Sequence, residues 1–458
     1  MAVLSLHRQR GGARAARFAG RPLAVLPVLR LRGDRTRSCP HEAPVSTSRK
    51  IIVIGAGICG LSTAIWLRRA GHEVTLLDRD HPGAGASWGN AGLLAGWGIV
   101  PVNTPGLMRA ALNYLRDPNA PLFVEWSYLP RMLPWLWQFV RNANPRDTAR
   151  MVEGLIPLVG DSVDQHRALV RGTRAEKWLA TSVFGYAYES RAAFETDALS
   201  WRFKREAGHV PEVITGAAVR EVEPMLGPAT QCLALLKGHG HILDPGAYMT
   251  DLAHVLKAEG GQVRQATVRD ITLEDGRIAQ LETDHGPMPC DAAVLAAGIW
   301  SKPLMRKLGL RVPLEAERGY HLHFHGPSQM PRHPLMIARG KFAVNPMAHG
   351  LRCAGTVELG GISSGPSRAP LDLIRRETAR VFPDLTYARA EEWMGFRPST
   401  PDSLPLIGEI GSTGVHAAFG HQHIGLTAGP KTGRLVADLL SDRRPNIDLA
   451  PYDANRFT

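Results

Sequence analysis

The sequence predicts an α/β protein in two units, one built on a buried parallel sheet and the other on a mixed sheet with helices. Three observations predict it. In Lys50 to Asp78, KIIVIGAGICGLSTAIWLRRAGHEVTLLD, an apolar run, a glycine-rich turn, a helical pattern and a second apolar run follow in order. Ala292 to Ala296 is a second buried-strand run, with small residues after it. Val312 to Phe324 and Phe342 to Val357 read as strands of a different sheet.

The first stretch carries the most chemistry. Ile51 to Ile54 is short and apolar, as a buried parallel strand is. Gly55, Gly57 and Gly60 follow at G-x-G-x-x-G spacing. Gly55 permits a tight turn, Gly57 lets backbone approach a pyrophosphate, and Gly60 lets the helix pack against the strand. Leu61, Ala64, Ile65 and Leu67 recur at helical steps, and Gly71 ends that helix. Glu73 to Leu77 is the next strand, and Asp78 beyond it is placed to accept hydrogen bonds from a ribose. Strand, helix, strand and acid in this order predict dinucleotide binding, with the phosphates at the helix N-terminus.

Gly83 to Gly92, GAGASWGNAG, is a loop of small residues with Ser87 and Asn90 as its polar members. Its place directly after the ribose-binding acid makes it a second contact for the same ligand. Pro82 to Met108 has no charged residue but carries seven glycines and three prolines, which suits a ligand-hugging loop and not a membrane helix. Pro121 to Val140 is dense in Trp, Leu and Pro. It lacks the basic face of an interfacial helix, so a pocket wall or core packing is its expected role. Residues 145–210 are helical in pattern, for instance Met151, Leu155, Leu158 and Val163, except for a strand from Trp178 to Tyr188.

Asp244 is an N-cap followed by Pro245, and Ala247 to Leu256 runs as a helix. Gln262 to Val268 is a strand, and Glu274 to Arg277 turns a hairpin. Asp372 to Val381 is a helix, and a last helix lies within Ile424 to Leu440, after a Gly/His loop. The expected division is a leader over 1–48, a dinucleotide-binding unit assembled from 49–116, 213–303 and 391–458, and a substrate unit from 117–212 and 304–390.

The formal net charge is +12. Residues 1–50 hold eleven Lys/Arg and two acids, Asp34 and Glu42, and so carry +9, leaving +3 for the rest. The basic balance therefore belongs to the leader, and nucleic-acid binding is not expected. The leader lacks a secretory cleavage pattern, and its composition fits upstream sequence read as coding better than a transit peptide. Five cysteines with no C-x-x-C predict reduced, buried thiols and no metal site.

Four separated segments resemble one family. They are the Gly55 fingerprint, the GASWGNAG loop, AVLAAGIWS over 293–301, and GFRPSTPDSLPLIG with GHQHIGLTAGPKTG near the C-terminus. Together they are similar to the D-amino-acid oxidase superfamily of FAD-dependent oxidoreductases, most of all to the bacterial D-amino-acid dehydrogenases. That resemblance covers residues 50–458 and implies a Rossmann-like FAD domain with a mixed-sheet α+β substrate domain.

It also implies roles. Gly55, Gly57, Gly60, Asp78 and Arg79 would hold the ADP half of FAD. Ser87, Asn90 and Ala91 would lie along the pyrophosphate and flavin, Val268 would meet adenine, and Ala297, Gly298 and Trp300 would line the middle. Gly420, His421, Gly425, Leu426 and Thr427 would approach the flavin ring, with a helix N-terminus at its pyrimidine edge. Arg397 matches the arginine that clamps the substrate carboxylate, and Tyr320, in ERGYHL, matches a segment near the substrate domain and is a candidate catalytic residue. His421 and His423 are expected to be packed loop residues, and Asp402 to cap its turn. Gly89 stands where some relatives carry a flavin-linking histidine, so FAD is expected to be non-covalent.

The reaction implied is oxidative deamination of D-amino acids: hydride from Cα to flavin N5, then hydrolysis of the imine to a 2-oxo acid and ammonia. Glycine, sarcosine or a proline-type secondary amine is the alternative substrate, and a flavin domain in RNA modification the more distant one. Oxygen or a quinone would take the electrons. The expected location is cytoplasmic, with contact to the inner face of a membrane as its variant.

Overall fold

The computed structural model describes residues 48–108, 111 and 121–457. The leader, with Cys39, lies outside them. Lys50–Ile54 forms a strand because four consecutive apolar residues can be buried on both faces at once. It is the middle of a six-stranded sheet. Its parallel neighbours are Glu73–Asp78 on one side and Ala292–Leu295 on the other, in the registers Ile51 to Val74 and Ile51 to Ala292. Gln262–Gln265 extends one edge, and Val415–Phe419 with antiparallel Leu406–Glu409 the other.

Three distant stretches thus build one sheet. The helix Ile58–Arg69 packs against the helix Gly425–Leu440 so closely that a Cβ on Gly433 would lie 2.6 Å from Ser62 backbone, and one on Gly429 2.7 Å from Ile58. Asp244 caps the helix Pro245–Ala258 by accepting from the Ala247 amide.

A second, larger sheet crosses the rest of the chain. Its central strands are Arg389–Ser399, Glu315–His325, Gly350–Leu359, Phe342–Met347, Leu335–Ile337, Leu179–Tyr188 and Cys232–Ile242, in that spatial order. The helix Arg368–Val381 packs on one face through Leu371, Ile374 and Val381. Sheet membership does not follow the division expected from the sequence. Glu212–Thr215, Cys232–Ile242 and Arg389–Ser399 were assigned mainly or wholly to the dinucleotide unit, but they pair in the large sheet. Sheet membership is a matter of pairing, which a segment's own residues do not show.

Pro121 to Val140 becomes the short strand Leu122–Val124 and the helix Leu129–Arg141. Cys59, Cys232, Cys290 and Cys353 are free and buried. Among the described residues no helix is long and apolar enough to cross a membrane, and no group of three or more His, Cys, Asp or Glu could hold a metal.

Candidate active site

Between the two sheets lies a cavity of about 1510 Å³, larger than an ordinary small-ligand pocket and long enough in its lining for a dinucleotide and a substrate together. Its first part is built from backbone. Gly55 has φ +107°, and a Cβ there would lie 2.6 Å from the Ala296 carbonyl oxygen. A Cβ on Gly60 would lie 1.8 Å from the Gly55 oxygen, so only glycine lets the helix begin where it does. Gly57 faces Ser87 Oγ, which accepts from the Ile58 amide at 3.0 Å.

Asp78 is fixed by the amides of Ala56 at 2.6 Å and Asp80 at 3.0 Å, on the cavity wall. Arg79 lies over the Trp300 ring at 4.1 Å, and Val268, Ala297 and Gly298 continue the wall. Asn90 was expected to offer its side chain to a ligand. That side chain instead ties its own loop, donating to the Ser87 carbonyl and accepting from the Gly92 amide at 2.6 Å. Ala91 and Asn90 still line the cavity.

At the far end, Gly420 turns with φ +88° and the helix Gly425–Leu440 begins with no side-chain cap. The first amides of that helix, from Gly425, Leu426 and Thr427, sit at the cavity wall. The helix end is anchored from behind. His166 bridges Tyr248 Oη at 2.9 Å and the Leu426 carbonyl at 2.8 Å, and burial holds its pKa down at about 4. His421 bonds Thr432 Oγ1 through Nε2 at 2.9 Å, and burial lowers its pKa to about 3. A neutral, partnered His421 is a packed loop residue.

These residues fit FAD. A backbone cradle without Cβ atoms, a fixed ribose-side carboxylate and an uncapped helix end are the donor and acceptor set a dinucleotide flavin requires. Gly89 fits a non-covalent mode: a Cβ there would lie 2.3 Å from the Trp393 ring, so a linking side chain has no room.

The second part of the cavity belongs to the large sheet. Arg397 lies flat on Gly319, where a Cβ would come within 2.6 Å of the guanidinium carbon. It donates to the carbonyls of Thr356 at 2.9 Å and Gly355 at 3.3 Å. Burial lowers its pKa, and nearby Glu317 opposes that. Glu317 is the direct cross-strand partner of Arg397 and is 3% exposed. Its Oε1 accepts from Ser399 Oγ at 2.7 Å, and burial raises its pKa. Ser399 in turn accepts from Gln422 at 2.8 Å.

Sequence reasoning missed Glu317 and Gly319. The available signal was a run of charge, Glu315 to Arg318, inside an expected strand.

Tyr320 is a correction. Its hydroxyl donates to Glu358 and accepts from the Ser367 amide at 3.1 Å, and its ring sits in the core cluster with Leu322, Phe324 and Ile374. Tyr320 is among the residues of the cavity lining, but its hydroxyl is taken up by Glu358 and Ser367. Asp402 accepts from the Leu404 amide and also pairs with Arg456 at 2.8 Å.

The sequence pattern of the DAO family, described as FAD dependent oxidoreductase, matches residues 50–439. A D-amino-acid oxidase of Bradyrhizobium diazoefficiens is 37% identical over 417 residues, covering 89% of this chain and 99% of that protein. A D-amino acid dehydrogenase of Paramagnetospirillum magneticum is 32% identical, with 89% and 99% covered. Among solved structures, a glycine oxidase from Bacillus cereus matches with a TM-score of 0.68 at 20% identity, covering 87% of this chain and 96% of its own. An L-proline dehydrogenase from P. horikoshii matches with 0.68 at 18%, covering 90% and 98%.

Proposed function

The chain belongs to the DAO family of FAD-dependent oxidoreductases, and from that premise we propose that it oxidises D-amino acids to imines that hydrolyse to 2-oxo acids and ammonia. The observation that carries this reading is the pairing of Arg397 with Glu317 on one cavity wall. An amino acid is a zwitterion, and a guanidinium beside a carboxylate is its complement.

FAD, when bound, supplies the two-electron acceptor. The chain supplies position and charge. Arg397 is held by two backbone carbonyls and presents its remaining N–H groups to the substrate carboxylate, a fork that a lysine would not reproduce. Glu317 faces the ammonium, and with Oε1 committed to Ser399 it takes the ammonium proton on Oε2. Its raised pKa suits it to that task. The choice of D over L substrates rests on the relatives named D-amino-acid oxidase and D-amino acid dehydrogenase. The likeness to glycine oxidase and proline dehydrogenase is one of fold and does not select glycine or proline.

Anaerobic mixing of the purified holoprotein with D- and L-amino acids tests the reading. D-Amino acids are expected to bleach the visible flavin band, and their L-enantiomers are not. Bleaching by glycine, sarcosine or L-proline alone would overturn it. Readmitting oxygen or adding a quinone then separates oxidase from dehydrogenase. Acid precipitation should release the yellow colour, as non-covalent binding requires.

A further inference from the structure

The cavity does not end at Arg397. On the large sheet, Ala354, Ala343, Met336 and Tyr186 are successive cross-strand partners, and all four line the cavity. Directly opposed residues share a face of the sheet. Ala354 and Ala343 are small, so they leave a channel floor running away from Arg397, whose guanidinium lies over Gly355 and Thr356. From Ala354 to Tyr186 is three strand spacings, about 14 Å.

At the end of that channel is a buried amine. Lys204 is 5% exposed, lines the cavity, and has its Nζ 4.5 Å from the Tyr186 ring centre and 4.6 Å from that of Trp201. Its hydrogen-bond partner is Ser200 Oγ at 2.9 Å. Among the described residues no carboxylate comes within ion-pair distance of it. Asp197, the nearby acid, is held by Tyr188 Oη at 2.9 Å and faces Lys341 at 3.9 Å. Two lysines and one aspartate leave this end of the cavity with a surplus positive charge. His209 is near enough for Lys204 to depress its pKa, after burial, and so adds no anion. The Trp97 indole N–H, also on the cavity wall, has no partner among the described residues.

A buried ammonium costs free energy unless a counter-charge arrives. Aromatic faces offset part of that cost and do not remove it. Burial already draws the Lys204 pKa down to about 8, with Asp197 opposing. An anionic ligand group beside it would restore the charged form.

We propose that this box is the substrate side-chain subsite, and that it selects amino acids whose side chain ends in a carboxylate. Three strand spacings favour the longer members over aspartate. The inference rests on the proposed amino-acid oxidation, and its failure is separable from failure of that reading.

The test is flavin reduction by D-norleucine, D-glutamate, D-2-aminoadipate and D-2-aminopimelate in the wild-type holoenzyme and in Lys204→Met. In the wild type, kcat/KM for the longer acidic members is expected to exceed that for D-norleucine by about tenfold to a hundredfold. In Lys204→Met that ratio is expected to fall to one or below. A wild type that prefers D-norleucine overturns the subsite while leaving amino-acid oxidation standing. Should Lys204→Met fail to fold, the wild-type ladder decides alone. If no D-amino acid reduces the flavin, binding still decides: pimelate should perturb the flavin spectrum at least tenfold more tightly than hexanoate. Equal binding of the two sinks the proposal.

Discussion

Along the six-stranded parallel sheet, what faces the cavity is glycine, backbone amide and one fixed carboxylate, Asp78. The central strands Lys50–Ile54 and Ala292–Leu295 have apolar interiors, with Ile51, Ile52, Val53, Ala293, Val294 and Leu295 fully buried. The large sheet is the reverse. It buries Glu317, Arg318, His321, His323, Arg352 and Glu358 within adjacent strands. Arg318 donates to the Gly361 carbonyl and pairs with Glu358 at 3.2 Å, so even the face away from the cavity is ionic.

The difference follows from what each sheet holds. A fixed cofactor can be met by backbone, which carries no side-chain entropy and little titration. A small charged substrate needs opposite charges at set positions, and those charges must be paid for in desolvation.

Acid should separate the two sheets most. Burial lowers the pKa of His239 to about 3, His241 to about 4, His321 to about 3 and His323 to about 4, all on two strands of the large sheet. On the parallel-sheet side the pKa of His416, on one of its strands, is lowered by burial, as are those of His421 and His166 against the last helix. An unfolded histidine takes a proton below about pH 6.5. These folded ones do not until near their own depressed values. The unfolded chain therefore binds more protons between about pH 6.5 and 4. Stability is complete above that window and lost as pH falls through it, at about 1.4 kcal/mol per pH unit for each histidine. Thermal melts should be flat between about pH 6.5 and 8, below the depressed pKa of Lys204, and should collapse below pH 6.5. A Tm that stays level from pH 6.5 to 4.5 would remove the contrast.

Arg397→Ala sharpens the same division. It should leave the FAD content near normal, since the cradle lies on the other sheet, while kcat/KM for D-amino acids falls by about 3–5 kcal/mol. Arg397→Lys should recover only part of that loss. Loss of flavin on Arg397→Ala would show that the two sheets are not functionally separate.

Gly60→Ala is the mirror experiment and the smaller effect. The added methyl meets the Gly55 oxygen, a backbone atom that cannot step aside. The expected cost is about 1–3 kcal/mol of stability, read as a lower Tm and weaker FAD retention. The protein that still holds FAD should keep its KM for D-amino acids. A raised KM would tie substrate recognition to the cradle.

The contrast also explains what could be read from the sequence. The cradle is local. Gly55, Gly57, Gly60 and Asp78 act within one strand–helix–strand unit, and their spacing is the geometry. Arg397 was reached through its motif, but its setting was not, because Gly319 and Glu317 lie on a neighbouring strand that only pairing brings near. Tyr320 failed for a related reason: Glu358 and Ser367 claim its hydroxyl from distant positions. Lys204 falls within the helical pattern of residues 145–210. Nothing near it in the chain announces Tyr186 and the alanine floor. Asn90 was assigned to a ligand on its polarity, its loop's position and the family resemblance, whereas its loop consumes both ends of its amide.

The glycine turn at 55–60 and the helix end at 425–427 meet in one cavity, yet they come from opposite ends of the described chain. During synthesis the first strand emerges long before Val415–Phe419 and the final helix exist to complete its sheet. At ribosomal rates that wait is on the order of tens of seconds. The nascent Ile51–Ile54 run, apolar on both faces, has in that interval neither its Ala292–Leu295 neighbour nor a cofactor to order it. Contacts of such high sequence separation form slowly. Flavin capture therefore waits for the last strand and helix, which complete the sheet and the cavity wall.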